Sequence, residues 1–145
     1  MQSKPNLVRR KDAVWVPVAV TVIAKADGTF GKQLTSDSDY FNDDNYDLDF
    51  SGLDMSAIVA FSLDSASGYT FPSADECIEI RKAPGNPTSK PGKDVFKYVA
   101  VSDDGLLLVV VDDNPENSGK WRYTLFVSQA DGTTVSIDPT ITNTR

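Results

Sequence analysis

The chain has 145 residues, of which 40% are hydrophobic and 24% are charged, and it carries a formal net charge of −7 with a single cysteine and no histidine. This length and composition are typical of one folded domain and exclude a disordered or fibrous chain. The acidic charge argues against a nucleic-acid partner, because neutralising phosphates requires a surplus of lysine and arginine. One cysteine cannot form an intrachain disulfide, so the cytoplasm is the expected compartment.

The N-terminal residues are predicted to form a flexible arm, residues 1–12, followed by a single domain, residues 13–145. Basic residues precede an apolar run here, as in a signal peptide, but Pro17 interrupts that run. We therefore interpret the run as a strand. No window of the sequence approaches the ~18 apolar residues that a membrane span needs, so no membrane partner is expected.

Strand-like patterns then follow one another along the chain. Valine occupies every second position from Val14 to Val22, which is the period of a half-buried strand. Pro17 has no amide hydrogen, so it places this strand at a sheet edge or at a kink. Short turns and the lack of helical periodicity favour an antiparallel sandwich or barrel. The further predicted strands are Tyr46 to Phe50, Ala57 to Leu63, Cys77 to Arg81, Val95 to Val101, Leu106 to Asp112, Trp121 to Val127 and Thr133 to Ile137.

The block SDSDYFNDDNYDLDF, from Ser36 to Phe50, contains six aspartates and no basic residue. It does not fit the EF-hand pattern, because phenylalanine and leucine stand where that loop needs oxygen ligands. Two interpretations stay open. The block is either a solvated acidic loop or one part of a calcium site that several loops assemble. The candidate calcium ligands are Asp43, Asp44, Asp47, Asp112 and Asp113.

The residue types also bear on catalysis. Without histidine, the chain has neither a Ser-His-Asp nor a Cys-His nucleophile pair, and with one cysteine it lacks the ligands of typical zinc sites. Asp47 and Asp49 share one strand face and point in parallel, so they cannot flank a glycosidic bond. Cys77 lies in an apolar segment beside acidic residues and is predicted to be a buried thiol. We expect no enzymatic activity and, calcium apart, no cofactor.

The apolar run from Leu106 to Val111 departs from strict alternation. Apolar residues on both faces of a strand imply that something covers the outer face. The cover is either another part of the chain, such as a loop or the N-terminal arm, or a second subunit. The second alternative predicts self-association, with Leu106, Leu108 and Val110 as the candidate interface.

The C-terminal segment ENSGKWRYTLFVSQADGTTVSIDPTI resembles the last hairpin of an immunoglobulin-like sandwich. Gly119, Tyr123 and Val127 occupy its Gly-x-x-x-Tyr-x-x-x-Val pattern. The closing Asp138-Pro139-Thr140-Ile141 is similar to the small uncharacterised bacterial β-proteins of the DP-EP family. The resemblance implies an all-β fold, an antiparallel Ig-like sandwich of about eight strands, without the disulfide of antibody domains. It implies no activity, because that family has none assigned.

Together these patterns predict a non-catalytic binding or structural protein that self-associates. The alternative is a calcium-dependent module that recognises carbohydrate, in which aromatic side chains beside the aspartates stack on sugar rings. The candidate stacking residues are Tyr40, Phe41, Tyr46, Tyr69 and Phe71.

Overall fold

A computed structural model describes residues 13–24, 30–42, 44–51, 53, 55–73, 76–82, 96–112, 119–130, 132–137 and 140–143. The predicted N-terminal arm lies outside these ranges. The described residues form ten strands and one short 3₁₀ turn, Ser65–Ser67. The strands are β1 (Ala13–Ala24), β2 (Phe30–Thr35), β3 (Leu48–Asp49), β4 (Ser56–Leu63), β5 (Ile78–Lys82), β6 (Phe96–Val101), β7 (Leu107–Asp112), β8 (Gly119–Ser128), β9 (Thr134–Ile137) and β10 (Thr140–Asn143).

The strands form two sheets that enclose one core, so the predicted all-β sandwich is confirmed. Sheet I has the order β2-β1-β4-β7-β6. Sheet II has the order β3-β10-β8-β5, and β9 also pairs with β8. Of the eight strand pairings among the described residues, six are antiparallel, whereas β1 with β4 and β10 with β3 are parallel. No helix in the described ranges is long and apolar enough to cross a membrane.

The central part of the topology is that of an immunoglobulin-like domain. The neighbours β4, β7 and β6 pair in the order of strands B, E and D, while β5, β8 and the β9–β10 pair follow the order C, F and G. β9 and β10 both pair with β8 in the same register, because Leu125 pairs with Ile137 and Arg122 pairs with Thr140. The hairpin of β1 and β2 extends sheet I beyond this arrangement.

The core forms because alternate residues of each long strand point inward. The valines of β1 are buried from Val16 to Val22, and Cys77 is fully buried, as predicted. On β8 the inward residues are Trp121, Tyr123, Leu125 and Val127, and none of them is exposed. This face of β8 therefore forms part of the core.

Among the described strands, only β4 pairs with β1 at Pro17. β4 pairs with residues 13–20 of β1, whereas the pairing with β2 covers only residues 19–24. The hydroxyl of Ser36 donates to the carbonyl oxygen of Pro17 just where the chain leaves β2. The prediction that Pro17 places this strand at a sheet edge is therefore correct only for the first half of β1, because β1 as a whole lies between β2 and β4.

Candidate functional site

The acidic block forms a tight loop whose polar side chains bind its own backbone. Phe41 and Leu48 form an isolated antiparallel bridge. The side-chain oxygens of Asn42 and Asn45 accept from the amides two residues later, at 2.8 Å and 2.9 Å. Such local bonds stabilise turns in short polar segments. Asn42 and Asn45 therefore have a structural role in this loop.

Asp49 follows the same rule at the end of β3. Its carboxylate accepts from the backbone amide of Ser51 at 3.0 Å and from the Ser51 hydroxyl at 2.6 Å. The predicted strand from Tyr46 to Phe50 is shorter in the structure, since only Leu48–Asp49 are extended and paired. Leu48 and Phe50 are buried and Asp49 is exposed, as the alternation predicts.

Tyr46 connects this loop to both sheets through hydrogen bonds. Its backbone has a φ of 66°, a left-handed conformation that costs a non-glycine residue about 1 kcal/mol or more. The ring stacks on Phe41 with centroids 6.3 Å apart, and the hydroxyl donates to the carbonyl oxygen of Lys32 on β2 at 3.2 Å. The carbonyl oxygen of Tyr46 accepts from the hydroxyl of Tyr123 on β8, also at 3.2 Å. These contacts hold the left-handed conformation in place.

Tyr123 is fully buried beneath the loop. Burial raises the pKa of its phenol well above 10.0, and the negative charge of Asp47 acts in the same direction. The hydroxyl therefore remains a neutral donor to Tyr46 at any physiological pH. The hydrogen bond between Tyr123 and Tyr46 is therefore insensitive to acid, and it is sensitive to strong alkali because the phenol ionises there.

The described candidate calcium ligands have different environments. Asp44 is exposed in the loop, Asp47 is half-buried close to Tyr123, and Asp112 is fully buried at the end of β7. Asp43 and Asp113 lie outside the described residues. No group of three or more histidine, cysteine, aspartate or glutamate side chains comes together within the described ranges. Calcium binding stays a prediction, since two of its five ligands are not described.

The aromatic residues proposed as stacking platforms mostly belong to the core. Phe41, Tyr69 and Phe71 are 8%, 1% and 3% exposed, so the prediction is wrong for these three. Hydrophobic burial between the sheets outweighs their position near strand ends. Tyr40 and Tyr46 are half-buried, and the ring of Tyr40 packs on Phe50 at 5.8 Å. The loop therefore exposes no flat aromatic surface among these five side chains.

The predicted interface on β7 needs a correction. Leu108 and Val110 are 0% and 1% exposed because they point between the two sheets, and Leu106 packs partly against the same core. Leu108 and Val110 therefore cannot meet a partner in the folded state, whereas Leu106 is half-buried. Strand alternation instead places Leu107, Val109 and Val111 on the outer face of sheet I. The run from Leu106 to Val111 does place apolar residues on both faces of β7, but the predicted residues Leu108 and Val110 lie on the inner face.

The register of sheet I assembles an apolar surface on this outer side from five strands, four of which contribute to any one row of residues. We call it the outer apolar face, and it has three rows of residues that lie opposite one another. The tall row is Trp15, Ile58, Val111 and Tyr98; the middle row is Pro17, Ala60, Val109 and Ala100; the low row is Thr35, Ala19, Ser62 and Leu107.

The outer apolar face has no charged side chain in any of its three rows. Trp15 and Tyr98 are each 57% exposed, and Leu107 is 39% exposed. Within the described residues, these three large apolar side chains remain in contact with water. The sequence signal that could have located this face is Trp15, an aromatic residue set between the inward valines of β1.

A cleft opens beside the low row. Its volume is about 370 Å³, and its lining includes Pro17, Ala19, Thr35, Asp37 and Ser62. Small side chains form its floor, because Ala19 and Ser62 are direct neighbours across β1 and β4. The exposed carboxylate of Asp37 stands at its rim. The cleft adjoins the middle row at Pro17 and the low row at Ala19.

A second depression of about 390 Å³ lies between the segments 70–73 and 101–105. One of its two acidic groups, Asp104, accepts from the hydroxyl of Ser102 at 2.6 Å and from the amide of Leu106 at 3.0 Å. These hydrogen bonds lower the pKa of the Asp104 carboxyl below its usual value. Because Asp104 already holds its own turn, we assign this depression a structural role.

Comparison with known proteins adds no functional assignment. No protein-family model matches the chain, and no curated protein matches it in sequence. The resemblance to the DP-EP family therefore stays a prediction.

Proposed function

We propose that this protein is a non-catalytic β-sandwich that acts as a binding or structural subunit and self-associates through the outer apolar face of sheet I. The observation that carries the proposal is the set of three charge-free rows, with Trp15 and Tyr98 each more than half exposed. The largest apolar patch on a soluble monomer is often a functional surface. Burial of this patch supplies the driving force for association, at about 25 cal/mol per Å².

Charge favours a second copy as the partner. Each chain carries a net charge of −7, so two copies repel one another wherever acidic surfaces meet. A two-fold interface brings the same patch of both subunits together, and only a neutral patch does so without opposing like charges. The outer apolar face meets this condition.

The size of the face determines how strong the association is. Four strands about 4.8 Å apart and three rows about 6.6 Å apart define an area of roughly 400 Å² on each copy. Stable complexes bury about 800 Å² on each partner, so this contact belongs to the small and weak class. We expect a dimer that forms with rising concentration and dissociates on dilution.

The chemistry of the face supports a role without catalysis. Its polar side-chain groups are the hydroxyls of Thr35, Ser62 and Tyr98 and the indole of Trp15. None of these has a general base within the three rows. A nucleophile without a base or a lowered pKa is weak, so the face is better suited to binding than to covalent chemistry.

The test is sedimentation velocity over a range of protein concentrations with two variants of equal charge change. Tyr98→Glu adds a negative charge to the tall row at an exposed position, and Ala130→Glu adds the same charge at an exposed position outside sheet I. We expect the wild type and Ala130→Glu to shift from monomer to dimer as concentration rises, and Tyr98→Glu to stay monomeric. A wild type that remains monomeric throughout would overturn the proposal.

A further inference from the structure

The outer apolar face combines one projecting row with one recessed row. The tall row carries the largest exposed side chains, Trp15 and Tyr98. The low row contains Ala19 and Ser62 beside the cleft of about 370 Å³. A cleft of this volume falls within the range of small-molecule sites, and it has room for one large aromatic side chain.

The spacing of these features on β1 is symmetric. Trp15 and Ala19 lie two residues to either side of Pro17, which belongs to the middle row. Consider a two-fold axis that lies in the plane of the interface and runs along the middle row, perpendicular to the strands. Rotation about this axis makes the strands of the second copy run in the opposite direction. That operation stacks the tall row of each copy on the low row of the other. Trp15 then lies above Ala19 and Ser62 of the second copy.

The lining of the cleft matches the chemistry of an indole. Pro17 and Ala19 offer apolar contact to the ring, while Asp37 and Ser62 offer oxygen acceptors. A buried tryptophan side chain needs a partner for its N–H group. An ionised carboxylate accepts such a bond more strongly than a neutral group does. Asp37 at the rim is therefore a suitable acceptor.

We infer that the indole of Trp15 in each copy inserts into the cleft beside Ala19 and Ser62 of the other copy. This inference rests on the proposed self-association and specifies its geometry. The two reciprocal contacts fix the register of the dimer, and they explain why an aromatic residue stands on the water-facing side of β1. Trp15 and the cleft then act as the specificity-determining pair of the interface.

Complementation between two variants tests this pairing. Trp15→Ala removes the inserted side chain and leaves the cleft open, whereas Ser62→Tyr fills the cleft and keeps Trp15. Each variant alone loses both reciprocal contacts. A heterodimer of the two retains one, because Trp15 of the Ser62→Tyr chain meets the open cleft of the Trp15→Ala chain. Both positions are exposed, so thermal melting of each variant is expected to match the wild type.

We expect the dissociation constant of each variant to rise at least about tenfold, as for the loss of an anchor residue, and the equimolar mixture to associate more tightly than either alone. Suppose that Tyr98→Glu disrupts the wild-type dimer but the equimolar mixture associates no more tightly than the single variants. This result would overturn the Trp15 pairing and leave the proposed function standing. A monomeric wild type would remove both.

Fluorescence gives a second readout of the same contact. The chain has two tryptophans, and Trp121 is fully buried, so subtracting the spectrum of Trp15→Ala isolates the emission of Trp15. We expect this emission to shift to shorter wavelength as wild-type concentration rises, and to stay unchanged in Ser62→Tyr. An equal shift in both proteins would contradict insertion into the cleft.

Discussion

The two sheets bury similar inner faces but present different outer ones. On sheet II, the outward residues Glu79 and Arg81 of β5 lie opposite Thr124 and Arg122 of β8. Arg81 and Glu79 form an ion pair at 3.6 Å, with both side chains more than half exposed. On sheet I, the corresponding positions carry apolar residues across four strands. Formation of the core does not require the two outer faces to differ in polarity. We therefore attribute the apolar outer face of sheet I to the proposed self-association.

Leu108 and Leu107 test the difference between inner and outer faces most strongly. Leu108→Ala removes a fully buried side chain, so we expect the free energy of unfolding to fall by about 2–5 kcal/mol. Leu107→Ala changes the outer face, and its effect on the unfolding of the monomer is expected to stay within about 0.5 kcal/mol. Urea denaturation at a concentration that favours monomer measures both values. Equal losses in the two variants would contradict the assignment of the faces.

Tyr123→Phe tests the tie between the acidic loop and sheet II, with an intermediate effect. The variant loses the hydrogen bond to the carbonyl of Tyr46, which is expected to reduce the free energy of unfolding by about 1 kcal/mol. Tyr98→Phe is the matched control, because it removes a hydroxyl from an exposed ring. Its stability is expected to remain that of the wild type. A stable Tyr123→Phe would show that the loop does not depend on this bond.

The same variant has a distinct dependence on pH. The pKa of Tyr123 is raised in the folded state, so its contribution to stability is fully present below about pH 10, the unfolded value. That contribution is lost as the pH rises above 10 towards the higher folded-state pKa. We expect the wild type to lose stability between pH 10 and 11.5 more steeply than Tyr123→Phe. Parallel alkaline profiles in chemical denaturation would contradict this assignment.

Arg81→Ala on sheet II is expected to have the smallest effect. The ion pair with Glu79 is mostly exposed, and such pairs contribute about 0–1 kcal/mol. Its removal leaves the outer apolar face unchanged, so the monomer–dimer equilibrium is expected to match that of the wild type. Sedimentation of this variant beside Tyr98→Glu compares the two outer faces directly. A loss of dimer in Arg81→Ala would place the interface on sheet II.

The sequence predicts those parts of the fold that depend on local pattern. The period-two pattern of the β1 valines is correct, and the predicted strands begin and end within a few residues of the observed ones. β2 was missed because FGKQLT shows no apolar alternation. The parallel pairing of β1 with β4 depends on contacts between residues about 43 positions apart, as for Ala13 with Ser56, which no local pattern contains.

The candidate site was less predictable for a related physical reason. In an apolar run of six residues, no polar residue marks the outward positions. The pattern alone therefore does not say which alternate residues face inward. Neighbouring strands determine this orientation, and they turned Leu108 and Val110 into the core. The left-handed backbone of Tyr46 was equally hidden, because contacts with Lys32 and Tyr123 stabilise it. The outer apolar face emerges only from the register of five strands.

The most direct test of the account is a concentration series of backbone amide NMR spectra on the wild-type protein. We predict that the amide resonances of Trp15, Tyr98 and Leu107 shift progressively as concentration rises, together with the indole resonance of Trp15. Those of Glu79, Arg81 and Arg122 on sheet II are expected to stay fixed. Spectra that do not change with concentration, or shifts confined to sheet II, would contradict self-association through the outer apolar face.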